Sequence, residues 1–320
     1  GCMNDDEIRC VLPKYSFNPG KFVPFRGNQR SITVQARGSV IKVTDFHKQV
    51  TQKYSIDKPT GTPGWNKWQF AITKKNRVFA FEGKSGYTCE LLFPQSDFSK
   101  KANLATVVTN FTTACPTADD IYILGGKSQT NSSSTIVQRY KVSTDEWDQV
   151  GHTEKCHNFK FRTVCLSFRE NSYCIFAFAL SYKISSFGFE VFNYNPCSSS
   201  PDFPKEVWSW IPLENSINLA GTLKLRLLCS TQDVIILGNV QNRKGSNNQM
   251  ASFVELDPHT NSIKTLDVEV EGNRGFNLTD GPQCVCRGSR VYGDDFQQLY
   301  RFDYVLKKFG TVTLDSLEDQ

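Results

Sequence analysis

The sequence predicts an all-β fold of many short antiparallel strands, and two observations predict it. The first is local. Short runs rich in Val, Ile, Phe and Tyr are broken by clusters of Asn, Gly, Ser, Asp and Pro, and no long stretch repeats apolar residues at helical spacing. Runs of that length and composition, bounded by turn residues, read as strands. The second is periodic. The runs recur as a unit along the chain, the sign of a repeat architecture whose sheets bury their faces against one another. With 320 residues, 39% of them hydrophobic, the chain has the material for a large core. We read residues 1–320 as a single domain, part of a longer protein.

The clearest unit runs from Asp119 to Trp147. An apolar run, Ile121 to Leu124, ends on Gly125 and Gly126. A polar loop follows, then a second run through Tyr140 that turns back to Trp147. Glycine at the end of a strand allows a positive φ and a close backbone approach. The aromatic pair supplies flat surfaces to fill the space between twisted sheets. The seven-residue offset of Tyr140 and Trp147 recurs in Tyr15 and Phe22, Leu256 and Ile263, and Phe302 and Phe309. Tyr54 to Trp65 and Tyr194 to Trp208 read as copies with insertions, and Leu92-Phe93-Pro94 marks a degenerate one. Hairpins precede six of these: Ser31 to Thr44, Phe70 to Gly83, Val107 to Gly126, Val164 to Leu180, Leu225 to Gly238 and Cys284 to Gly293.

These residues resemble the Kelch repeat. The resemblance implies a β-propeller of four-stranded antiparallel blades, with strands A to D running outward from the axis. The double glycine then closes strand B, and the Tyr and Trp bracket the C–D turn. Six repeats follow, at about residues 30–66, 67–104, 105–150, 160–213, 222–268 and 282–316. An unmatched C–D pair lies at 8–25. The expectation is six blades, or seven if that pair belongs to a further one.

The resemblance also implies where partners dock. In Kelch propellers the B–C and D–A loops form one face, and a rigid scaffold presenting variable loops suits binding. The candidate residues on such loops are Lys127 and Ser128, Tyr182 and Lys183, and Arg243 and Lys244. Kelch receptors of acidic peptides often carry an arginine at the start of strand A. Arg30 and Arg162 match that position, each standing eleven residues before the first core residue of a strand B, Ile41 and Tyr173. Arginine and lysine there would suit a carboxylate-bearing segment.

The remaining composition narrows the function. The net charge is +5, from 37 basic and 32 acidic residues, with no basic run long enough for a nucleic-acid arm. No signal peptide and no membrane-spanning apolar run are visible. The odd count of 11 cysteines argues against a disulfide framework. It points to a reducing compartment, the cytoplasm, with a cytoskeletal or ciliary assembly as a narrower reading. Asn110, Asn131 and Asn277 stand in N-x-S/T sequons that a chain rich in these residues acquires by chance.

Four histidines, His47, His152, His157 and His259, are scattered and do not form a copper site with a tyrosine. Cys284 and Cys286 share one strand face but lack zinc-motif spacing, and Asp119, Asp120, Asp294 and Asp295 read as turn carboxylates. There is no phosphate loop, nucleophile elbow or His-Glu-x-x-His. The expectation is a non-catalytic scaffold or adaptor without cofactor, metal or small-molecule substrate, docking a protein partner. The alternatives are a ubiquitin-ligase substrate receptor, a structural part of a cytoskeletal or ciliary assembly, and a metal-dependent oxidase or glycan-binding propeller.

Overall fold

The computed structural model describes residues 31–115, 119–130, 134–153, 161–169, 172–179, 188–194, 208–212, 226–230, 235–242, 249–257, 262–271, 284–287, 290–294 and 298–314. They form small sheets in which consecutive strands pair. The first sheet holds β1 (Ile32–Arg37), β2 (Val40–Asp45) and β3 (Val50–Ser55). The second holds β4 (Gln69–Ile72), β5 (Val78–Phe81), β6 (Thr88–Leu92) and β7 (Asp97–Lys101). The third holds β8 (Thr112–Ala114), β9 (Asp120–Leu124), β10 (Ile136–Lys141) and β11 (Glu146–His152). The fourth runs β12 (Phe161–Arg169), β13 (Ser172–Ala179), β14 (Gly188–Tyr194) and β15 (Trp208–Pro212). The fifth runs β16 (Arg226–Ser230), β17 (Ile235–Asn242), β18 (Gln249–Asp257) and β19 (Ser262–Leu266). The last sheet joins β20 (Glu269–Val270) to β21 (Cys284–Arg287), β22 (Arg290–Asp294), β23 (Leu299–Asp303) and β24 (Lys308–Val312).

The sheets close into a propeller-like ring. Leading strands of successive sheets meet, β4 with β8, β8 with β12, β12 with β16 and β16 with β21, and β21 meets β1. Side-chain alternation gives a sheet two faces, and the described core lies at interfaces between neighbouring sheets. Ile32, Val34 and Ile41 of the first sheet pack on Ile72, Val78 and Leu91 of the second. Phe79 and Phe81 of the second pack on Ile121, Ile123 and Tyr140 of the third.

The seven-residue aromatic offset is a consequence of turn geometry. The pairs Leu92↔Asp97, Lys141↔Glu146 and Asp303↔Lys308 each close a hairpin around four residues. The last turn residue is left-handed in each, Ser96 at φ 56°, Asp145 at 56° and Lys307 at 53°. The next pair up the ladder is then i with i+7. It is Leu91 with Phe98, Tyr140 with Trp147, and Phe302 with Phe309. Asp45↔Val50 closes the same turn in the first sheet, where the next pair is Thr44 with Thr51.

Several expectations are corrected. Among the described residues, six like four-stranded blades do not form. Five described sheets are antiparallel with three or four strands each, and the last is a mixed sheet of five because β20 lies parallel to β24. Trp65 is not on a fourth strand of the first sheet. It sits in a 3₁₀ turn, Trp65–Lys67, because Pro59, Gly61, Pro63 and Gly64 break the run that a strand needs. Tyr194 ends β14 and Trp208 opens β15, so the two bracket that connection, with Trp208 paired to Phe192 and Tyr194 to Tyr173. Asp294 is no turn carboxylate: it ends β22 and is buried. Asp120 likewise opens β9 and is buried. The pair at 8–25 lies outside the described residues.

Candidate interaction face

The loops at one end of the second and third sheets form the best-defined candidate site. β5 runs into Glu82-Gly83-Lys84-Ser85, and β9 runs into Gly125-Gly126-Lys127-Ser128. Gly83 and Gly126 hold equivalent positions, and the connection from β7 to β8, residues 102–111, passes against both. A Cβ on Gly83 would stand 2.5 Å from the Val108 carbonyl oxygen, and one on Gly126 would stand 2.6 Å from that of Thr109. Gly126 also has φ +102°, a conformation other residues rarely adopt. The strand-ending glycine is therefore required by a crossing chain. Gly126→Ala should lower stability by about 2 kcal/mol in urea unfolding, since both the angle and a backbone oxygen oppose a methyl group.

Hydrogen bonds fix these loops. In the first, the Glu82 N–H donates to the Tyr87 carbonyl at 2.8 Å, and Leu104 N–H to that of Gly86 at 2.8 Å. The Glu82 carboxylate accepts from the Lys84 N–H at 3.0 Å and from the Ser85 N–H and hydroxyl, each at 2.6 Å. Burial pushes that carboxyl up, but the bonds from Ser85 and Lys84 prevail and hold it below the usual carboxylate range. In the second loop, Thr109 and Lys127 exchange backbone bonds of 2.8 and 2.7 Å. The Ser134 N–H donates to the Gly126 carbonyl at 2.9 Å, and the Ser128 and Thr130 hydroxyls meet at 2.8 Å.

What these loops offer outward is cationic and polar. Lys84, Ser85, Asn110, Gln129 and Thr130 are exposed, and Lys127 and Ser128 are half-buried. Among the described residues of these loops, Glu82 is the carboxylate, and it is bonded internally.

Of the residues singled out in the sequence, Lys127 and Ser128 lie here. Arg162 lies on β12, the leading strand of its sheet, opposite Phe178, with its side chain outside the description. Arg30, Tyr182, Lys183, Arg243 and Lys244 lie outside the described residues, as do the side chains of Cys284 and Cys286. Sequence reasoning missed Lys84 and Ser85. The available signal was the tripeptide Gly-Lys-Ser, present at 83–85 and again at 126–128. His47 falls in the β2–β3 turn, and His152 ends β11, its Nδ1 3.0 Å from the Thr135 hydroxyl. Cys89 and Cys115 are buried, and burial pushes the Cys89 thiol up to about 12. Among the described residues, no group of three His, Cys, Asp or Glu side chains could hold a metal ion. No described helix is long and apolar enough to cross a membrane.

No family model matches the chain, and no curated protein matches it.

Proposed function

We propose that this propeller is a non-catalytic protein-interaction module that holds an acidic segment of a partner on the loop end of its second and third sheets. The observation that carries the reading is the repeated Gly-Lys-Ser loop. Two neighbouring sheets offer a lysine and a serine at the same offset from a packed glycine, with the local carboxylate turned inward. Rigid loops lower the ordering cost of binding, and lysines without competing carboxylates favour an anionic partner. The propeller fold supports a protein-binding role in general terms. With the Kelch resemblance, a cytoplasmic adaptor is the fitting class. A ligase substrate receptor and a cytoskeletal or ciliary component are two uses of the same docking chemistry.

The test is affinity capture from cell extract with the wild-type domain and with Lys84→Glu/Lys127→Glu. Both lysines reach solvent, and among the described residues neither ends a buried ion pair, so the variant should fold with an unchanged unfolding midpoint. A captured partner should bind it at least about tenfold more weakly, with a strong salt dependence in the wild type. Equal capture by both proteins would remove the lysine face from consideration.

A further inference from the structure

The boundary between the first and last sheets differs from three others whose side chains are described. Those three meet through broad apolar clusters. Between the first two sheets these include Ile32, Val34, Ile41, Ile56, Trp65 and Trp68. The fifth and last share Ile236, Phe253, Leu266, Val291, Phe302 and Phe309, with Phe253 and Phe302 stacked 5.5 Å apart. Where the ring closes, the described apolar cluster is Phe46, Val285, Tyr292 and Leu299, and among the described residues the first sheet gives it Phe46, from the β2–β3 turn. Beside it the described contacts are polar. Strand alternation turns Ile41 toward the second sheet and Lys42 and Thr44 toward the last.

A single carboxylate gathers those polar groups. Lys42 Nζ lies 2.9 Å from Asp294 Oδ1, and the Thr44 hydroxyl donates to Oδ2 at 2.7 Å. Gln35 Nε2 donates to the Asp294 backbone carbonyl at 3.0 Å. The two charged side chains are 7% and 1% exposed, so water screens the pair little. Among the described residues no backbone ladder joins β1, β2 or β3 to the last sheet. A buried ion pair gives little net stability over an apolar pair of equal volume, yet it is costly to break from one side. That makes it a poor glue and a sensitive latch.

We infer that the ring opens at this seam, with the first sheet as its movable edge and the Lys42–Asp294 pair as the latch. Opening separates β1 and β2 from β21 and β22 and leaves the three described apolar interfaces intact. The device is independent of the loop face described above.

Hydrogen exchange read by mass spectrometry tests it on Asp294→Asn and on Lys42→Met/Asp294→Leu. Asp294→Asn removes the carboxylate charge that faces the buried Lys42 ammonium. Exchange in β1–β3 should rise at least about tenfold while β4–β11 stay as in the wild type. The apolar pair should return β1–β3 to wild-type protection or better. If Asp294→Asn does not fold, Thr44→Val gives the same comparison with the charges still paired, and a selective rise in β1–β3 supports the latch. A rise of equal size in every sheet, or none in β1–β3, would overturn the proposal.

Discussion

Trp65→Ala should lower stability by about 4 kcal/mol, read as a fall in urea midpoint at unchanged m-value. Trp65 is among the largest fully buried side chains of the protein. Its ring lies 4.8 Å from that of Trp68 and 6.4 Å from that of Phe98. Its Nε1–H donates to the Ile56 carbonyl at 2.7 Å. The substitution removes a ring packed among Ile32, Val34, Ile41 and Ile72 between the first two sheets, and it leaves a buried carbonyl without its donor. Both losses add. Trp65→Phe should recover most of the packing while still orphaning that carbonyl, a residual cost of about 1–2 kcal/mol. An effect of Trp65→Ala below about 1 kcal/mol would show that the 3₁₀ turn is not the plug between the first two sheets.

Trp147→Ala should cost about 3 kcal/mol. The ring is half-buried, so the effect is smaller than for Trp65, but its contacts join two sheets. It lies 5.0 Å from Tyr140, its ladder partner, and 5.9 Å from Phe81 of the second sheet. Its Nε1–H donates to the Ala102 carbonyl at 2.8 Å, at the start of the connection that the loop glycines clasp. Tyr140 completes the unit by donating its hydroxyl to Asp145 at 2.6 Å, and Asp145 also accepts from the Ala102 N–H at 2.8 Å. Binding measurements on Trp147→Ala should also show a loss at the loop end, because residues 102–111 are anchored here. The same loss in Lys84→Glu/Lys127→Glu without any fall in stability separates docking chemistry from loop support.

Much of the strand pattern was legible because its causes are local. The hairpins at Phe70 to Gly83 and Cys284 to Gly293 follow from alternating apolar runs around turn residues, and the structure pairs them as β4–β5 and β21–β22. The aromatic offset was legible because a four-residue turn fixes which residues face each other across it. Tyr54 and Trp65 misled for the same reason. A long Pro- and Gly-bearing insertion severs the local link between spacing and register, so an apparent ladder pair became a strand residue and a turn plug. On the interaction face, Lys127 and Ser128 followed from a strand-ending double glycine. Lys84 did not, because Glu82 stands where the first glycine would be and hides the match.

By itself the sequence determined the all-β class, the hairpin order and the glycine and aromatic positions, all set by contacts within a few residues along the chain. The tertiary structure alone decided what depends on distant partners. It set the strand count of each sheet, the parallel β20 on the outer edge of the last sheet, and the connection that makes Gly83 and Gly126 obligatory. It also brought Lys42, a charge in an otherwise apolar run, to an aspartate 252 residues away. Only closure of the ring can set such a pairing, because no local ladder or turn relates the two ends of the chain.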